Sequence, residues 1–491
     1  MKVLFRMGWI LVALLTTMTV SAAPYSSYIY INGNSGITDV AAPTAYVPSV
    51  VYDSTSLDAK LSSPEDICRD DEGNFYVLNS SDGYIHCFSP EWEKKYTLFG
   101  YLEEGQLNPT PLNNPQGICV WGDTLFVAET GANRIAKFSL STRRLTGFIN
   151  QPESDLFADG FVFSPKKIAV DSTGRIFVVA NNVFEGLMEL TQDGDFVGYV
   201  GSNEVVANAM DIFWQTVLSD KAKEGLVSFI PVEYTNISLD ASGFIYAVTA
   251  ASDVNTPIRR LNPSGEDVLV RNPVNGVGEV SGDLLYKDWG EGGDVGPSSF
   301  VDIAVNDEGI YFALDNKRGR IFAYDEDGNL LFEFGGSNTN QVGTFMQPSA
   351  LEIVGDTIYV LDRERKCITA FVPTDYARTI MDATRSFVAC DYETSRGEWE
   401  SLLKRNCNFD LAYVKAGFCL YRMGEYKQAM EYFELANARS YYTKAFVKYR
   451  TQYLNEHFTV FILSGVGLVV LILLFGVWRR RRAKKRRQGG A

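Results

Sequence analysis

Apolar and polar residues alternate along most of this chain in short runs separated by turn residues. The runs recur. "ICRDDEGNFYVLN" begins at Ile67, "ICVWGDTLFVAET" at Ile118, "IAVDSTGRIFVVA" at Ile168, "ISLDASGFIYAVT" at Ile237, "IAVNDEGIYFALD" at Ile303 and "LEIVGDTIYVLD" at Leu351. The starts are 51, 50, 69, 66 and 48 residues apart. Each copy predicts two short strands joined by an Asp/Gly turn, then a third such as "RIAKF" or "RIFAY". Several add a fourth, as in "YTLFG", "FVGYVG" and "LLFEFGG". Four antiparallel strands make one blade, and six blades make a ring, a β-propeller. Pro64, Pro115, Pro165, Pro297 and Pro348 fall just before the first strands, where a missing N–H harms no ladder. The sixth copy has only three strands of its own, and "TAYVPSVVYD", residues 44–53, is the expected fourth, closing the ring.

The wide spacings mark two insertions. One, residues 203–225, reads as an amphipathic helix with Met210, Phe213, Trp214, Val217 and Leu218 on one face. It is expected to cap the propeller core, or to serve as a lid or docking helix through Trp214. The other, about residues 270–296, is Gly-rich and reads as a long loop.

The repeat resembles the NHL repeat, whose pattern is P-x-x-I-x-V-D-x-x-G-x-I-Y-V-A-D-x-x-N-x-R-I. "NPQGICVWGDTLFVAETGANRIAKF", residues 114–138, is the best copy. The expected fold is mainly β: a six-bladed NHL-type propeller over residues 44–372, then helices, then one membrane span. From Asp375 the period turns helical. "LAYVKAGFCLYRMGEYKQAMEYFELANA" resembles a tetratricopeptide (TPR) repeat, with Gly417, Leu420, Gly424, Ala429, Phe433 and Ala436 at its packing positions. A degenerate copy carrying Trp399 precedes it. Residues 375–457 are therefore read as a TPR-like segment, either a protein-binding surface or a rigid stalk.

Two segments set the expected topology. Residues 458–478 contain no charged residue over 21 positions, long enough as a helix to cross a bilayer. Residues 1–23, with Lys2 and Arg6, an apolar run and Ser21-x-Ala23, fit a secretory signal peptide. Residues 479–491 hold eight basic residues, expected to stay cytoplasmic as an orientation signal. The body between is then exported from the cell, with bacterial origin inferred from the short leader and tail.

Charge narrows the partners. Two basic residues lie in the leader and eight in the tail, so the body keeps 35 of 45 basic residues against all 60 acidic ones, a net charge of −25. Such a surface repels nucleic acid and favours cationic partners. Membrane or envelope proteins are the expected partners, with a small-molecule ligand the other prospect. The seven cysteines are scattered and contain no CxxC, which is no disulfide framework. Cys68 and Cys119 sit at a small packing position of the repeat. Cys390 with Cys407 or Cys419 is a pairing the sequence leaves open.

Candidate chemistry is sparse. The only histidines are His86 and His457, so no zinc-type cluster appears, and the metal chemistry of amidating lyases built on NHL propellers is not expected. No cofactor motif and no nucleophile motif stands out. The last position of each second strand reads Asn79, Glu129, Ala180, Thr249, Asp315 and Asp362, expected as a ring on one rim. Resemblance to calcium-dependent propeller lactonases, which use converging Glu, Asn and Asp, makes Asn79, Glu129, Asp315 and Asp362 candidates for a divalent-metal hydrolase. The competing expectation is that they cap turns. Arg134 and Arg320, five residues further on, are expected to pair with Glu129 and Asp315. Binding or scaffolding is the preferred function.

Overall fold

The computed structural model describes residues 23–33, 36–102, 106–201, 233–250, 256–271, 281–283, 296–337 and 340–488. The signal-peptide reading, the 203–225 helix with Trp214 and most of the Gly-rich insertion lie outside them.

Six antiparallel sheets form the propeller. Blades 1, 2, 3 and 5 have four strands each, over residues 64–98, 117–149, 165–200 and 300–335, and blade 4 has three among the described residues, within 234–261. Blade 6 is composite. Its own strands Pro348–Val354, Thr357–Asp362 and Cys367–Pro373 are completed by Tyr46–Asp53, which pairs antiparallel with Cys367–Pro373. The N-terminal strand thus closes the ring as the sequence reading expects.

The inner strands of successive blades touch around the axis: Pro64–Arg69, Gly117–Trp121, Pro165–Val170, Tyr234–Leu239, Phe300–Val305 and Pro348–Val354. Second strands are buried along their length in blades 1, 3, 4 and 5, so FYVLN, IFVVA, IYAVT and YFALD read as continuous apolar runs. Aromatic and branched residues fill the wedges between blades, for example Phe126, Ile168 and Val178 between blades 2 and 3. Pro64, Pro165 and Pro348 are the first residues of their inner strands rather than outside them. Each precedes a register shift, at Pro64/Asp66, Pro165/Lys167 and Pro348/Ala350, and Tyr234/Asn236 and Phe300/Asp302 shift likewise. The rim where inner strands begin is called upper; the rim carrying the turns between first and second strands is called lower.

A hairpin of Ser27–Gly33 and Gly36–Ala42 lies against the outermost strand of blade 5, whose six residues are all buried. Six helices follow blade 6: α1 (Asp375–Val388), α2 (Tyr392–Leu403), α3 (Asp410–Met423), α4 (Tyr426–Leu435), α5 (Arg439–Glu456) and α6 (Phe458–Gln488). No linker separates α1 from the propeller. Thr374 caps it by accepting from Ala377 N, and its own hydroxyl donates to Thr44 O at 2.7 Å. Each helix of α1–α5 packs on the next. Ile380, Met381, Trp399, Leu411 and Cys419 share one buried core with Phe312, Leu331 and Phe334 of blade 5 and Phe371 of blade 6. The helices therefore begin as a second layer on the propeller, not as a stalk standing clear of it. Within α6, Phe458–Arg482 is long and apolar enough to cross a membrane, with none of its apolar stretch buried against the chain. The helix runs on through the basic block, past the Trp478 boundary expected from composition.

Candidate functional site

The ring at the ends of the second strands forms as expected on the upper rim, but its side chains point inward. Asn79, Glu129, Thr249, Asp315 and Asp362 are all 0–1 % exposed. The side-chain polar atoms of Asn79, Glu129, Asp315 and Asp362 are taken up by the loops that feed the inner strands, while Thr249 Oγ1 has no partner among the described residues. Asn79 Oδ1 accepts from Ser62 N at 3.1 Å, and its Nδ2 donates to Lys60 O at 3.0 Å. Glu129 accepts from Asn113 N at 2.9 Å and Arg134 Nε at 2.7 Å. Asp315 accepts from Ser299 N and Lys317 N, both at 2.9 Å. Asp362 accepts from four amides, those of Met346, Gln347, Glu364 and Arg365. These are turn-holding contacts in blades 1, 2, 5 and 6. Among the described residues no group of three or more His, Cys, Asp or Glu is disposed to hold a metal.

The arginines divide. Arg134 pairs with Glu129 and lies over the Phe148 ring, 3.8 Å from its centroid. Arg320 does not take Asp315. It donates to Asp283 at 2.9 Å and lies 3.9 Å from Glu333 on the outer strand of the same blade, with its guanidinium over the Tyr28 ring of the N-terminal hairpin. Arg318 is the arginine beside Asp315, at 3.8 Å. His86 is buried, between Thr97 Oγ1 at 2.9 Å and Lys60 O at 3.1 Å, and burial lowers its pKa. All seven cysteines are unpaired, and Cys390 and Cys407 lie at opposite ends of α2. Burial holds the Cys119 thiol up at about 12 and also raises that of Cys68, so both stay protonated.

A different constellation occupies the axis. The residue after each inner-strand register shift is Asp66, Lys167, Asn236, Asp302 or Ala350. A bulge re-aims the side chain that follows it. The four polar ones are 4–7 % exposed and lie together. Lys167 Nζ is 2.8 Å from Asp66 Oδ1. Asn236 Nδ2 donates to Asp302 Oδ1. Asp66 Oδ2 accepts from Ile118 N at 2.8 Å, and Asp302 Oδ2 from Leu351 N at 2.6 Å, so each acid ties one blade to another. Blade 2 puts Gly117 at this level. A Cβ there would stand 2.3 Å from Lys166 O.

These four residues floor a cavity of about 320 Å³ on the propeller axis. Arg69, Ser238 and Glu352 line its wall, and Asn306, Asp307, Glu308 and Gly355 its mouth on the lower rim. Arg385 of α1 also reaches the mouth, held by Glu308 at 2.7 Å, Asp356 at 2.6 Å and Asp382 at 2.8 Å. Burial pushes Asp302 up to about 7, against the nearby Lys167 charge. Burial likewise pushes Glu352 up to about 8, with Arg69 opposing and Asp302 and Asp66 reinforcing. The sequence reading passed over this group. Its one signal is the residue before each repeat's first Ile or Leu, which is Asp, Gly, Lys, Asn, Asp and Ala–Leu in turn.

Comparisons with known proteins accord with the propeller. The NHL repeat matches residues 112–138. A search of curated proteins finds no match. Similar solved structures include virginiamycin B lyase from Staphylococcus aureus, at 13 % identity and TM-score 0.39 over 66 % of this chain and 99 % of that one. A Bacteroides thetaiotaomicron protein of unknown function is similar at 13 % identity and TM-score 0.43, over 69 % and 80 %. The extracellular domain of a hybrid two-component system from B. thetaiotaomicron is similar at 12 % identity and TM-score 0.37, over 71 % and 38 %. The chain is thus a six-bladed β-propeller carrying an NHL repeat, followed by six helices of which the last is long and apolar.

Proposed function

We propose that this chain is a membrane-anchored, extracytoplasmic binding and scaffold protein. It presents its propeller and TPR-like helices to protein partners or an extracellular ligand. Export of residues 24–457, one span over 458–478 and a cytoplasmic basic tail complete the reading.

The observation that carries it is the shared core of blades 5 and 6 with α1–α3. A swinging stalk would leave the propeller's position undefined. Here the anchor helix follows helices of which the first three share a core with the lower rim. The upper rim is then turned away from the helices. Tethering of this kind raises the effective concentration of membrane-bound partners. The rival reading is a divalent-metal lactonase or hydrolase using the rim carboxylates. It draws no support from a ring whose oxygens are committed to backbone amides. Cross-linking the full-length protein in its own membranes, followed by affinity capture and mass spectrometry, tests the proposal. A stoichiometric membrane or envelope partner is expected. Its absence under conditions that recover known complexes would sink the scaffold reading.

A further inference from the structure

The axial cavity has features that a packed propeller does not need. Its floor is charged, buried and only partly self-satisfied. Lys167 lies in the cavity lining with 8 % of its side chain exposed, and its ammonium makes no directed hydrogen bond. Within 4 Å it has, among the described residues, one carboxylate oxygen, Asp66 Oδ1 at 2.8 Å, for three N–H donors, with Asp302 and Glu65 further off. A buried donor without an acceptor is costly, and a ligand oxygen would relieve that cost. The wall above carries both signs, Arg69 and Glu352. Glu352 is half-buried and its carboxyl is pushed up to about 8 by burial, with Arg69 opposing and the Asp302 and Asp66 charges reinforcing. A ligand cation there would reverse that shift. The floor's own pairing leaves these two demands standing: Asp302 is spent on Asn236, Ile303 N and Leu351 N.

We propose that the axial cavity binds a small zwitterion of amino-acid size, its carboxylate on Lys167 and its ammonium beside Glu352. The cavity volume of about 320 Å³ is at the small end for ligand sites. It admits a molecule of this size with a few waters and no large ligand. The mouth is on the lower rim, beside Asp307 and the Arg385 cluster, so the ligand enters from the side on which the helices dock. This deepens the binding reading above and rests on it only for the ligand's extracytoplasmic source.

The test is calorimetric titration of the full-length protein in detergent micelles with γ-aminobutyrate and L-alanine. Putrescine serves as the cation-only probe and butyrate as the anion-only probe. Saturable one-to-one binding of a zwitterion is expected, with both single-charge probes weaker by about tenfold or more. Glu352→Gln should weaken zwitterion binding by about tenfold. Ser238→Lys, at a half-buried lining position, supplies a tethered ammonium and should abolish binding. This second variant keeps the test decisive if the first unfolds. No binding of either zwitterion, equal binding of putrescine, or binding that survives both substitutions would overturn the proposal. Partner capture with Glu352→Gln separates the two readings. Loss of amino-acid binding with partners retained leaves the scaffold standing, and the reverse leaves the cavity standing.

Discussion

Lys415, midway along α3, holds its ammonium 2.7 Å from the Asp325 carboxylate, and both side chains are buried. Asp325 already shapes the outer turn of blade 5, accepting from Asp327 N at 3.1 Å and Asn329 N at 2.9 Å. One carboxylate thus organises a propeller turn and pins the helical layer onto it. Removing the lysine would strand a buried anion, a defect that costs about 3 kcal/mol or more. Lys415→Met should lower the melting temperature of the purified protein and make α1–α5 the first segment released by limited proteolysis. Adding Asp325→Asn to it should recover part of the loss. A double variant no better than the single would show that the pair is not what joins the layers.

Asp362 offers the sharpest test of the upper-rim ring. Its carboxylate takes amides on both sides of the strand, Met346 N at 2.7 Å and Arg365 N at 3.0 Å among them. Asp362→Ala leaves those donors buried without acceptors and should cost about 2–4 kcal/mol in thermal unfolding. Chelation by EDTA should leave the wild-type melting curve where it is. A curve that falls with EDTA and recovers with calcium would place a metal on this ring and revive the hydrolase reading.

Stability should fall as pH rises through neutrality. Glu333, on the outer strand of blade 5, is pushed up to about 8 by burial, with Arg320 opposing and Asp283 reinforcing. Asp302 on the axis is pushed up to about 7 by burial. In the unfolded chain both carboxyls titrate near their ordinary values of 4.5 and 3.8. Between those values and the folded ones, the folded chain binds more protons than the unfolded chain. The contribution is therefore full below the unfolded pKa and is lost as pH climbs. Melting temperatures taken from about pH 5.5 to about pH 8 should decline, and Glu333→Gln should flatten the slope by on the order of 2 kcal/mol. An unchanged slope in that variant would show Glu333 ionised throughout.

Gly417 of α3 faces Phe433 of α4 so closely that a Cβ would stand 2.8 Å from the ring. The TPR-like motif named both residues from their spacing, and the contact explains it: the glycine lets the ring seat against the helix backbone. Gly417→Ala should cost about 1–3 kcal/mol by overpacking, measured as a lower melting temperature. Gly397→Ala in α2, where nothing lies within 4 Å, should be neutral or stabilising.

The difference between those two glycines marks what could be read from the chain. Period and turn chemistry are local, so the six repeats, the closing strand before Asp53 and the Gly417–Phe433 contact were legible. The destination of a long side chain is not local. Arg320 and Arg134 hold the same place in their blades, yet Arg320 meets Glu333 of its own blade's outer strand and Asp283 of the insertion, which Arg134 does not. The docking of α1 and α3 was hidden for the same reason, since Lys415 and Asp325 are ninety residues apart and each reads alone as a surface charge. The axial quartet was hidden by strand register. Simple alternation continued from Pro64 misplaces Asp66, and only the bulge puts it on the axis.

Gly117 tests that register argument directly. Its inner strand is the one of the six without a shift at this level, and its would-be Cβ points at Lys166 O, 2.3 Å away. Blade 2 therefore meets blade 3 backbone to backbone, where the other blades place a side chain on the axis. Gly117→Ala has a fixed backbone neighbour and no flexible atom to displace, so it should cost about 2–3 kcal/mol. It should also push Lys167 off Asp66, since Lys166 and Lys167 share the displaced strand. Gly122→Ala is the comparison. That residue has φ +55 in the adjacent turn and nothing within 4 Å, so it carries only the backbone penalty of about 1 kcal/mol. If the two variants melt together, the contact between inner strands is loose and the axial floor is not held by it. If Gly117→Ala melts well below Gly122→Ala, the absent side chain at this one position is what lets the ring of six close around its charged axis.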